Sequence, residues 1–276
     1  MTTAFVLSGG ASLGALEVGM LLALAEHGIT PDLLIGTSVG AVNAAWLASG
    51  ATLADIESLA TVWMSIRRED VFPTAPLRGL LGFLGRRNHL VPPDRFRALL
   101  ARDLSFAKLE DAAIPVRVVT TDLLSGEEVL LGEGDAVDAI AAIPGVFPPV
   151  ESGGRVLVDG DASNNVPISH AIDLGASIVY VLPTGYACAL TEPPKGALAT
   201  ALQALTLVLQ QRLATDIARY AGAVDLRVVP PLYPLAISPL DFTHTASLIT
   251  RARASTRVWL ARPTDDASVL SPHNHR

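Results

Sequence analysis

The chain has 276 residues, half of them hydrophobic, and a formal net charge of −7. That is enough apolar material for one large core, and the acidic balance gives no bulk attraction for nucleic acid. The single cysteine, Cys188, excludes an intramolecular disulfide and a cysteine-based metal cluster. No other set of His, Cys, Asp and Glu has metal-ligand spacing, so no metal or other cofactor is expected.

Residues Met1 to Phe5 lack a basic stretch leading into an apolar one, which argues against a secretory signal and for the cytoplasm. Ala4 to Ser8 reads as a short apolar strand. Gly9-Gly10-Ala11-Ser12-Leu13-Gly14 follows, and then an apolar helix from about Ala15 to His27. Strand, glycine loop and helix together cradle a negative group with backbone amides and the helix dipole. A dinucleotide fingerprint would need glycine where Ala11 stands, and no Walker lysine and hydroxyl pair follows. The other reading is an oxyanion hole, which needs a nucleophile beside it.

Leu33 to Ala41 supplies a candidate. An apolar strand runs into Gly36-Thr37-Ser38-Val39-Gly40, the nucleophile-elbow pattern, in which glycines at minus two and plus two remove Cβ atoms that would collide in a sharp strand-to-helix turn. The bland alternative is a capping serine. Leu33 to Ala54 carries no charge, but Gly, Ser, Thr and Asn interrupt it, so it reads as a buried strand and helix rather than a membrane span.

Helices are predicted over Ala41 to Ser49 and Leu53 to Ile66. Residues 67–102 then hold eight arginines (67, 68, 78, 86, 87, 95, 97, 102) against three acids, with Leu77, Leu80, Leu81, Phe83 and Leu84 among them. The stretch reads either as a lid or interfacial lipid contact or as ordinary helix packing. Strands follow at Val116 to Thr121 and Glu128 to Leu131, then a short helix at Ala136 to Ala142 and a proline-bounded segment to Pro149. Arg155 to Val158 is a further strand that runs into Asp159-Gly160-Asp161. A carboxylate at the carboxyl end of a strand sits where open α/β sheets place active groups, although Asp-Gly also simply makes turns.

The alternation continues with a helix at Pro167 to Leu174, a strand at Ile178 to Leu182, a helix within Ala197 to Tyr220, a strand at Asp225 to Val229 and a last helix at Thr243 to Ala261. This predicts an α/β sandwich with helices on both faces, organised as one domain over residues 1–262. The segment 263–276 is a polar tail, in which His273 and His275 read as terminal rather than metal-binding.

Four blocks, Gly9 to Gly14, Gly36 to Gly40, Ala142 to Pro149 and Asp159-Gly160, occur in an order and spacing that resemble patatin-like phospholipases. The likeness covers residues 4–182. It implies a three-layer sandwich with a mostly parallel central sheet, and an acyl hydrolase with a serine–aspartate dyad. Ser38 would attack a lipid ester, Asp159 would take its proton, and the loop of Gly9, Gly10, Ala11 and Gly14 would form the oxyanion region. A lipid ester is then the expected partner, with peripheral membrane contact and no nucleic acid. The chain departs from the family's pattern at Leu13, where many members carry a basic residue, and at Asp161, which adds a second carboxylate.

A serine–aspartate pair needs a desolvated carboxylate with a raised pKa. Val156 to Val158 suit that requirement, and like-charge repulsion from Asp161 offers a second way to raise Asp159. Two other readings stay open: a histidine-based α/β-hydrolase triad using His170 or His244, and a lipid or phosphate binder without turnover.

Overall fold

A computed structural model describes residues 1–71, 94–140, 149–185, 193 and 197–262. Eight strands form one sheet: β1 (Thr3–Leu7), β2 (Leu33–Thr37), β3 (Val116–Asp122), β4 (Glu128–Leu131), β5 (Val150–Ser152), β6 (Arg155–Asp159), β7 (Ile178–Leu182) and β8 (Asp225–Val228). Their order is β5-β6-β3-β2-β1-β7-β8, with β4 also paired to β3. The run β3-β2-β1-β7-β8 is parallel, and β4, β5 and β6 join antiparallel, so the sheet is mostly parallel as expected. The sequence pattern gives no sign of β5, because Val150-Glu151-Ser152 is neither an apolar run nor long enough to show alternation.

The described α-helices are α1 (Gly14–Glu26), α2 (Val39–Ala48), α3 (Leu53–Ser65), α4 (Arg68–Val71), α5 (Asp94–Asp103), α6 (Ala136–Ile140), α7 (Ile168–Asp173), α8 (Ala197–Tyr220) and α9 (Thr245–Leu260). Successive strand residues face opposite sides of the sheet, and the central strands use both sides for burial. Phe5, Leu7, Leu34 and Tyr180 enter a core shared with α1, α2, α3 and α9. Ala4, Val6, Ile35 and Val181 enter a second core beneath α7 and α8. The continuous apolar runs of β1, β2 and β7 follow from this double burial.

Helix α1 is buried on every side from Gly14 to Leu24, because α9 closes over the face that the sheet leaves open. Gly19 permits the approach, since a Cβ there would run into the Ile249 carbonyl and the Ala252 side chain. Helix α3 begins at a capping box in which Thr52 and Asp55 exchange hydrogen bonds.

Of the arginine-rich stretch, α4 and α5 are described, and Arg97 pairs with Asp138 of α6 at 2.5 Å. Leu77 to Leu84 with Arg78, Arg86 and Arg87 lies outside the described residues, as do most of the proline-bounded block, Cys188 and the tail with His273 and His275. Among the described residues no helix is long and apolar enough to cross a membrane.

Candidate active site

The site is assembled on β3. Leu34 N donates to Pro115 O at 2.9 Å and Leu123 N donates to Val156 O at 2.8 Å, while Asp122 N donates to Glu127 O. Successive backbone groups of a strand point to opposite edges, so β2 and β6 share one edge of β3 and β4 takes the other. The registers abut. Strand β2 ends with Thr37 opposite Val119, and β6 takes over with Asp159 opposite Thr120. Asp159 therefore fills the place on β3 that Ser38 would take if β2 continued, which brings residues 121 positions apart to one point.

Ser38 leaves the sheet with φ 54 and ψ −127, a conformation that costs a side-chain-bearing residue of the order of 1–3 kcal/mol and persists only where its surroundings impose it. The surroundings are backbone. A Cβ on Gly36 would meet the Gly40 carbonyl, and one on Gly40 would lie 2.5 Å from the Leu7 oxygen. The bland reading of Ser38 as a cap fails, because its side chain makes no capping bond to α2. The hydroxyl instead lies on the Asp159 side, near enough to draw that carboxyl downward.

Asp159 is buried, and desolvation pushes its carboxyl up to about 6 against the pull of the Ser38 hydroxyl and the Asp161 amide. Its Oδ1 accepts from that amide at 3.0 Å. Burial is the largest cause of that rise. Asp161 is itself driven well above the usual carboxylate range by burial first and by Asp159 second, so the two carboxyls titrate as a pair. Gly160 passes under β3, where a Cβ would lie 2.5 Å from the Val119 oxygen.

The glycine loop arrives beside this pair. Asp161 lies directly against Gly9, in the space a Cβ would need. Asn165 ties the two segments together, its Nδ2 donating to Asp161 Oδ1 at 2.8 Å and its carbonyl accepting from Gly9 N at 3.3 Å. Thr184 Oγ1 donates to the Gly9 carbonyl at 2.6 Å and occupies the space beside Gly10. Ser12 N donates to Pro239 O. With Gly9 and Ser12 so engaged, the amides of Gly10 and Ala11 make no hydrogen bond among the described residues. Ala11 is held at φ 50, a strained value that sequence gave no reason to expect. Gly14 allows Val39 and Trp63 to close over the start of α1, and Leu13 is buried in the first core.

A buried polar chain braces the loop from below. Glu17 Oε1 accepts from Ser8 N at 2.8 Å and its Oε2 from Asn43 Nδ2 at 2.8 Å, while Trp63 Nε1 donates to Asn43 Oδ1. Complete burial holds the Glu17 carboxyl well above the usual range. The one available signal was an acid in the first turn of an otherwise apolar run, Gly14 to Ala25. The two candidate histidines are committed elsewhere: His170 Nε2 lies 3.1 Å from Glu128, and His244 faces Asp241 at 3.5 Å.

Comparison with known proteins bears on the family and the fold. The patatin-like phospholipase family model matches residues 5–172. The chain is 29% identical over 187 residues to rat patatin-like phospholipase domain-containing protein 7 and 26% over 191 residues to a lysophospholipase of Pyricularia oryzae, covering 66% and 65% of this chain. It spans only 13% and 12% of the length of those two relatives. In structure it resembles VipD from Legionella pneumophila, with a TM-score of 0.51 at 15% identity over 94% of this chain and 66% of that one, a likeness of fold. With the family model covering more than half of its length, the chain belongs to the patatin-like phospholipase family.

Proposed function

We propose that the protein is a lipid acyl hydrolase in which Ser38 and Asp159 form the catalytic pair. The observation that carries this reading is the strained Ser38 set, where the β3 edge passes from β2 to β6, beside the buried carboxyl of Asp159, which is raised to about 6. Such a base is ionised at neutral pH yet basic enough to share the serine proton in the transition state. Ser38 Oγ bonds to the ester carbonyl carbon as its proton passes to Asp159, and the carbonyl electrons move onto oxygen. The amides of Gly10 and Ala11, with the positive end of α2, face the developing oxyanion. Collapse breaks the bond to the alcohol, which leaves with the proton from Asp159. Water then repeats the sequence on the acyl-serine and frees the fatty acid.

The partners of His170 and His244 give no support to a histidine triad. A phospholipid or related lipid ester is the substrate class that the relatives' names suggest. A fluorophosphonate probe tests the nucleophile: mass spectrometry should place one covalent adduct on Ser38, and folded protein that stays unlabelled would leave a binder without turnover.

A further inference from the structure

We propose that the tip of the β3–β4 hairpin and the first half of α8 form one apolar surface that seats the catalytic edge on a lipid bilayer. This rests on the lipid-ester reading and adds the part of the chain that meets the substrate's own surface. Leu124 is 84% exposed and Leu123 beside it 55%, in the turn that leaves β3 just beyond Asp122. Strands β2 and β3 are parallel, so these leucines stand past the same edge at which β2 delivers Ser38.

Helix α8 reaches the same place from the other direction. It links the parallel strands β7 and β8, so it runs back against them, with its first residues toward the catalytic edge. Its second half packs on the sheet through Leu213 and Ile217, whereas Leu205 is 48% and Val208 64% exposed. Arg212 joins the two elements, because its Nη2 donates to Glu128 Oε1 at 3.1 Å and Glu128 opens β4 opposite Thr121, directly after the leucine turn. Val208 and Leu205 precede Arg212 by four and seven residues and share its side of the helix. At 1.5 Å per residue they lie about 6 and 10 Å further out.

Charge identifies the occupant. Residues 197–211 and 123–126 contain no Asp, Glu, Lys or Arg, and the neighbouring Glu127 is paired with Arg155, so these two segments can enter the apolar boundary of a bilayer without desolvating a charge of their own. The surface is also continuous with the edge at which a lipid ester must reach Ser38, and a second copy seated there would cover that approach.

The test uses the whole chain and phosphatidylcholine vesicles, with Ser38→Ala supplying a background in which binding is measured without turnover. We expect Ser38→Ala to cosediment with these uncharged vesicles and to do so equally at high salt. Adding Leu124→Glu and Val208→Glu should lower partitioning by roughly a hundredfold, about tenfold for each side chain. In the chain that retains Ser38, the same two changes should depress vesicle-lipid hydrolysis and leave turnover of a soluble short-chain ester within about twofold, since neither residue touches the site. A separate Leu124→Trp variant should gain brominated-lipid quenching that the parent lacks, and this reports docking even if the double variant fails to fold. Vesicle binding unchanged in a folded double variant, absence of quenching in Leu124→Trp, or a dimer that Val208→Glu dissociates without vesicle binding would each overturn the proposal. Vesicle binding by a chain that cleaves no ester would sink the hydrolase reading and leave the surface standing.

Discussion

Asp159 has to be buried enough to be basic and still ionised where the protein works. With its carboxyl raised to about 6, hydrolysis should rise with pH through about 6 and level off above it, because the base must first lose its proton. A pH–rate profile on a soluble ester checks this, and a half-maximum near the ordinary aspartate value of 3.8 would remove the desolvated base. Asp159→Asn and Ser38→Ala should each lower turnover by roughly 10² to 10⁴ while keeping the native melting transition. His170→Ala and His244→Ala should keep most of the rate, because Glu128 and Asp241 rather than Ser38 are their partners. Asp161→Asn is the sharper test. Burial is the largest cause of the raised Asp159 carboxyl, so the rise near pH 6 should stay in place. A shift of that rise to lower pH would make repulsion from Asp161 its cause.

The elements hold these residues through close backbone contacts. Gly40→Ala sets a Cβ 2.5 Å from the Leu7 oxygen, and neither partner is a movable side chain, so α2 or β1 must shift. We expect a loss of about 1–3 kcal/mol in denaturant melts and a larger fall in turnover than in stability, since the displaced helix carries the elbow. A fully active, native-stability variant would show that the elbow tolerates the shift. Much of this arrangement was legible in the sequence. The apolar runs of β1, β2 and β7, the two glycines around Ser38 and the Asp-Gly after β6 are local signals of burial or of a tight turn. What escaped notice depends on distant partners. Ala11 is forced to positive φ within a loop anchored by Asn165, Thr184 and Pro239. Glu17 is meaningful only beneath Ser8 and Asn43. The handover of one β3 edge from β2 to β6 is a pairing that no single segment encodes.

Across the whole molecule the buried and surface carboxylates pull stability in opposite directions. Glu26, hydrogen-bonded by Arg257 first and by Arg253 of the same α9, is lowered from 4.5 to about 2, so its contribution is complete above pH 4.5 and is lost as pH falls through 2. Glu17, Asp159 and Asp161 are raised instead. Their native forms hold protons that the unfolded chain has released, so stability falls as pH climbs from the ordinary carboxylate values through the raised ones. The most stable pH should therefore lie near about 4.5, below the rise in activity near 6, because the site gains its base by ionising a group that folding prefers neutral. Calorimetric scans from pH 3 to pH 9 should show a melting temperature that peaks on this acid side and declines toward pH 8. Repulsion within a chain of net charge −7 would also produce a decline, so the buried acids need their own test. Asp161→Asn removes one ionisation and changes the net charge by only one unit, and its melting temperature should fall less steeply than the parent's above pH 6. Parallel curves for the two proteins would assign the decline to overall charge and show that Asp161 does not strain the native state.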